Sequence, residues 1–112
     1  MTMLELRDNA TRATALLKTM ANPSRLLILC HLAEGEKSVG ELVKAVGASQ
    51  SGLSQHLAIL RREHVVMIRR AGQTIYYSLA SVEAAALMRT LYAVFCAKVS
   101  RRAAPKVLLR AA

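Results

Sequence analysis

The sequence predicts a mainly α-helical domain with one β-hairpin, in the order α-α-α-α-β-β-α. Three observations carry this. Ala13, Leu16, Leu17 and Met20 recur at i, i+3, i+4 and i+7, the spacing of one helical face. Cap residues and stop glycines divide the stretch up to Arg62 into short helices. Two β-branched and aromatic runs then flank Ala71-Gly72-Gln73, which is the pattern of a hairpin.

Each element has its own signal. The first helix spans about residues 4–20 and is interrupted by Asn22-Pro23-Ser24. Asn22 suits an N-cap and Pro23 a first helical residue. The second helix runs to about Leu32, with Leu26, Leu27, Leu29 and Cys30 apolar, and Gly35 stops it. Ser38 and Glu41 have capping-box spacing, so a short helix covers 38–46 and ends at Gly47. Ser49 opens the fourth helix, to about Arg62. Residues 65–70 and 74–79 form the two strands. Ser81 caps a last helix, 82–97, dense in Ala, Leu, Met and aromatics.

The chain of 112 residues is short enough for one domain. With 54% hydrophobic and 21% charged residues, it is not a disordered coil. Residues 1–100 form the expected domain, and 101–112 a basic tail carrying Arg101, Arg102, Lys106 and Arg110. So much apolar surface in so short a chain points to burial against a second copy, through helices 4–20 and 82–97. The longest apolar run, Leu91 to Ala97, is far too short to cross a membrane. Glu5 and Asp8 stand where a secretory signal needs an apolar stretch, and the expected location is cytoplasmic. Two cysteines there do not make a disulfide framework. They are free, redox-active or metal-binding.

Formal charge is +9 with pI near 10.4, which favours a polyanionic partner. Residues 1–48 hold six basic groups against five acids; residues 49–112 hold ten against Glu63 and Glu83 alone. The polyanion-facing surface is therefore expected in the second half.

Two short helices joined by Val46-Gly47-Ala48-Ser49 and followed by a hairpin make a winged helix-turn-helix. At 100° per residue, Leu53, Leu57 and Leu60 lie within about 60° of one another and face the core. Ser51, Ser54, Gln55, Ala58 and Arg62 occupy the other side. That side is small and hydrogen-bonding, with no Glu or Lys between Ser49 and Arg62, and suits base edges in a major groove. An ordinary solvated face is the alternative. His56 lies on the flank of the apolar stripe, where it packs or reaches a phosphate. At the hairpin, Arg69 and Arg70 precede the tip and Gln73 and Thr74 follow. Adjacent strand residues face opposite ways, so one arginine is expected to reach DNA, at a phosphate or in the minor groove.

The stretches Met20 to Leu26, Ser38 to Leu42, Ser49-Gln50-Ser51-Gly52-Leu53-Ser54-Gln55-His56-Leu57 and Gln73 to Tyr77 resemble the ArsR/SmtB family of bacterial repressors. The resemblance spans about residues 10–97. It implies a homodimer built on the first and last helices, binding to a palindromic double-stranded operator, and release when an inducer is sensed. It adds Ser49 and Gln50 to the DNA-facing set.

Within that family the pair Cys30 and Cys96 resembles the BigR/SqrR/HlyU subgroup, with one cysteine on the second helix and one near the end of the last. The subgroup implies a switch in which a persulfide or oxidant links the two sulfurs. Read from the residues alone, Cys30 and Cys96 are also compatible with simple packing as buried apolar residues. The metal-sensing branches fit less well: Ser38 to Val43 contains no Cys, and the last helix offers only Glu83 as a metal-type ligand. No metal site or cofactor is expected. Soft-metal or organometal sensing through the same thiols, or no sensing at all, remains the alternative. His31 follows Cys30 as a half-exposed helix residue or a neighbour that lowers the thiol pKa; His64 reads as a turn residue. No G-x-S-x-G, Walker or H-E-x-x-H motif occurs, and no catalytic residue is expected. An architectural DNA-coating protein would not need the polar reading face.

Overall fold

The computed structural model describes residues 1–47 and 49–96. Helix α1 (Met3–Met20) starts at Thr2, whose hydroxyl accepts from the Glu5 N–H at 3.1 Å while the Thr2 N–H donates back to the Glu5 carboxylate at 2.9 Å. Helix α2 (Pro23–Ala33) is capped by Asn22, and α3 (Val39–Val46) by the Ser38–Glu41 box. Gly47 closes α3 at φ 71. Helix α4 (Gln50–Arg62) has Ser49 as its N-cap, and α5 (Val82–Phe95) has Ser81.

One element departs from expectation. Lys37–Ser38 form a two-residue strand, β1. It lies beside β3 (Thr74–Leu79), which also pairs with β2 (Val66–Ala71), so the sheet order is β1-β3-β2. Two residues carry no periodicity, and β1 exists only through its ladder with Tyr76 and Tyr77. Val65, expected in the hairpin, precedes it. Its N–H donates to the Leu60 carbonyl and its own carbonyl accepts from Ala80 at 2.8 Å, so it anchors the wing's base to α4 and α5. The hairpin turn is Gly72-Gln73, with Ala71 opposite Thr74 and Gly72 at φ 62. A positive φ at the first central residue alone is the II′ pattern, which matches strand twist.

The core gathers Ile28, Leu29 and Leu32 from α2, Leu42 from α3, Leu53, Leu57 and Leu60 from α4, and Ala84 and Met88 from α5. On α2 Ile28 is fully buried, whereas the neighbouring apolar Leu27 is exposed. Burial of each such side chain is worth about 1.5–3 kcal/mol, so α4 is held rigidly by its three leucines. The stripe on α1 behaves differently. Met20 is buried and Leu16 half-buried, but Leu17 is 55% exposed. On α5, Tyr92 and Phe95 are 48% and 65% exposed. Cys96 caps α5; Ala97, expected as its last residue, lies outside the described residues, as do Ala48 and the expected tail 101–112. No described helix is long and apolar enough to cross a membrane.

Candidate nucleic-acid interface and thiol pair

Three buried leucines on one side of α4 force the other side outward. Ser51, Ser54, Gln55, Ala58 and Arg62 are all exposed, as the helical angles required. The Ser49 hydroxyl accepts from the Gly52 N–H at 3.1 Å, so its role in the structure is to start the helix. A Cβ on Gly52 would stand 3.1 Å from that hydroxyl, and glycine keeps the first turn close to its cap. Gln50, Ser54, Ala58, Arg61 and Arg62 line a groove whose far wall is Ile75 and Tyr77 of the wing. Arg61 belongs to this groove and was absent from the expected set, although its position beside Arg62 was a visible signal. Arg62 is a weakly tethered cation, 3.6 Å from Glu63 and 73% exposed.

His56 is half-buried, and its Nδ1 lies 3.5 Å from Arg25 Nη1. It sits on the flank of the stripe, beside Arg25 of α2.

The wing separates its two arginines. Directly paired residues of antiparallel strands share a face. Val66 with Leu79, Ile68 with Tyr77, and Arg70 with Ile75 therefore share the face toward the body and the groove. Met67 with Ser78 and Arg69 with Tyr76 share the outer face. Arg69 is engaged there: Nε donates to Glu36 Oε2 at 3.0 Å and Nη2 to Oε1 at 2.7 Å. Its guanidinium also lies 4.6 Å from the Tyr76 ring centre. The Arg69 hydrogen bonds hold the Glu36 carboxyl below its usual range. Sequence reasoning missed Glu36, since nothing local marks a partner 33 residues away. Gln73 and Thr74 are exposed at the tip and, with Lys44 of α3, line a second groove.

Cys30, on α2, is half-buried, and Cys96, at the end of α5, is exposed; both are free. Burial pushes the Cys30 thiol up, with further increments from the Cys96 and Glu34 charges. Cys30 and Cys96 thus sit on two elements, α2 and the end of α5, that pack against each other. His31 is half-exposed, its Nδ1 4.0 Å from Glu34. His64 occupies the turn after α4 at φ 61. Among the described residues, no group of three His, Cys, Asp or Glu is placed to hold a metal ion.

The model for bacterial regulatory proteins of the arsR family matches residues 22–66, the span from the α2 cap to the start of the wing. Over 96 residues the chain is 47% identical to the transcriptional activator HlyU of Vibrio cholerae, covering 86% of this chain and 89% of HlyU. The structure of reduced HlyU from that organism superposes with a TM-score of 0.82 at 46% identity, over 85% of this chain and all of HlyU. The transcriptional repressor BigR from Xylella fastidiosa gives 0.78 at 43% identity, over 88% of this chain and 100% of BigR. The homodimeric winged helix-turn-helix DNA-binding domain of Mb0332 from Mycobacterium bovis gives 0.71 at 29% identity, over 84% and 86%. With a winged helix-turn-helix of this geometry and likeness along most of its length, the chain belongs to the arsR family of bacterial regulatory proteins, which are regulators of transcription.

Proposed function

We propose that the chain is a homodimeric DNA-binding repressor, acting in the cytoplasm, whose grip on a palindromic operator is released when a persulfide or oxidant links Cys30 to Cys96. The observation that carries this is the placement of the two free cysteines on helices that pack together, Cys30 on α2 and Cys96 at the end of α5. Ser54, Gln55 and the rest of the outer α4 face read base edges. Gln50, Arg62, Arg70, Gln73 and Thr74 supply contacts around them, with Ser49 setting the helix start and His56 reaching a phosphate. The exposed Leu17, Tyr92 and Phe95 are the surface that a second copy covers, in line with the homodimeric Mycobacterium bovis relative.

Accessibility makes Cys96 the first thiol to react, since it is exposed and Cys30 is half-buried. The Cys96 thiolate attacks the outer sulfur of a persulfide RSSH, forming Cys96–S–SH and releasing RS⁻. The Cys30 thiolate then attacks the inner sulfur, forming the disulfide and releasing HS⁻. Two thiols and RSSH thus give a disulfide, RSH and hydrogen sulfide. The link ties α2 to the end of α5, the helix that also meets the partner. A shift there changes the separation of the two α4 helices from one DNA turn, about 34–36 Å. A misfit of about 3 kcal/mol weakens binding more than a hundredfold.

The test uses a site selected from a random-sequence DNA pool by the reduced protein. Glutathione persulfide should release it, with a mass loss of two hydrogens. Cys30→Ser and Cys96→Ser should each bind and fail to release. Release of either variant by persulfide overturns the paired-thiol switch. Release of the wild type by arsenite alone replaces it with the soft-metal reading. Sedimentation of the reduced protein as a monomer at micromolar concentration, or of Phe95→Asp as an unchanged dimer, overturns the proposed interface.

A further inference from the structure

The two wing arginines face opposite ways, and only one of them already has a counter-charge. Arg69 reaches over the Tyr76 ring to Glu36 in a two-pronged ion pair, at 3.0 and 2.7 Å. Glu36 directly precedes β1, on the far edge of the sheet from β2. The side chain therefore spans all three strands and joins β2 to the connection that follows α2. By register, Arg70 shares a face with Ile75, whose side chain walls the groove next to α4. None of the ion pairs among the described residues includes Arg70.

We infer that Arg69 is a positioning residue, which with Glu36 and Tyr76 sets the angle of the wing over the reading helix, and that Arg70 is the wing's phosphate-contacting cation. This rests on the DNA-binding reading above. An exposed ion pair contributes little stability, but a two-pronged guanidinium–carboxylate pair fixes geometry, and stacking on an aromatic ring adds a second restraint. To reach a phosphate, Arg69 would have to leave both. Arg70 gives up nothing comparable. Each phosphate neutralised by a cation steepens the salt dependence of binding by about 0.9 in log K against log salt, so the two roles separate in one measurement.

The probe is a mixed-sequence duplex long enough for two half-sites, titrated across a salt series. Arg70→Gln should flatten the slope by about 0.9 for each phosphate left without its cation. Arg69→Gln should weaken binding about three- to tenfold and keep the slope. Glu36→Gln should weaken binding in the same way, although it removes a negative charge. The exchange Glu36→Arg/Arg69→Glu preserves the pair and the net charge, and should bind within about threefold of the wild type. A flattened slope for Arg69→Gln, tighter binding by Glu36→Gln, or collapse of the exchange variant would make Arg69 a DNA contact and overturn the inference. A wild-type protein that binds no duplex fails before any variant is made, and overturns the DNA-binding reading itself.

Discussion

Arg25, in the first turn of α2, donates from Nε to the Thr19 carbonyl at 2.6 Å. Thr19 is buried in the last turn of α1, where carbonyls lack helical partners. The same guanidinium lies 3.5 Å from His56 of α4. One side chain thus ties the end of α1, the start of α2 and the flank of α4.

Replacement by an isosteric apolar residue tests this. Arg25→Met keeps the stem and loses a charge-assisted hydrogen bond, at a cost of about 1.5–3 kcal/mol. Urea unfolding of the reduced protein should show a lower midpoint at unchanged slope.

Gly47 is the joint between α3 and α4. Its φ is 71, and a Cβ there would meet nothing within 4 Å among the described residues. The penalty for Gly47→Ala is therefore purely conformational, about 1–2 kcal/mol. Gly47→Asn should lose less, because Asn tolerates this region better. An equal loss for both variants in urea unfolding would contradict the conformational account.

Gln55 is exposed at the middle of the outer α4 face. Gln55→Ala should cost about 1–3 kcal/mol at particular base pairs of the selected site and little elsewhere. Competition between the site and its single-base variants measures this. An unchanged base preference would mean that α4 does not read sequence.

The raised pKa of Cys30, due first to burial and then to Cys96 and Glu34, has a definite sign. The folded state holds the thiol proton more tightly than the unfolded chain does. The corresponding stability is complete below the ordinary thiol range and is lost as pH rises through the raised value. Stability of the reduced protein should fall in that alkaline window, and Cys30→Ala should remove this part of the fall. At neutral pH, iodoacetamide followed by peptide mass analysis should find Cys96 labelled before Cys30. Glu34→Gln should speed the labelling of Cys30.

The helical punctuation and the polar outer face of α4 were legible in the residues alone. Asn22, Ser38, Ser49 and Ser81 all cap the helices they were expected to cap. Ser51, Ser54, Gln55, Ala58 and Arg62 emerge together opposite Leu53, Leu57 and Leu60. A cap bonds within three residues and a helical face repeats within four, so this information is local. The remaining features come from long-range packing. Strand β1 exists because Tyr76 and Tyr77 hold it. Ile28 rather than Leu27 enters the core because α2 must pack on several elements at once. Leu17 and Phe95 carry the same apolar character as core residues yet remain exposed on one chain. Arg69 and Arg70 are adjacent and chemically identical, and their separation follows from strand register and from Glu36, a partner on the opposite edge of the sheet. Pairings of this kind join residues far apart in the chain, and composition and periodicity do not encode which distant residue will arrive.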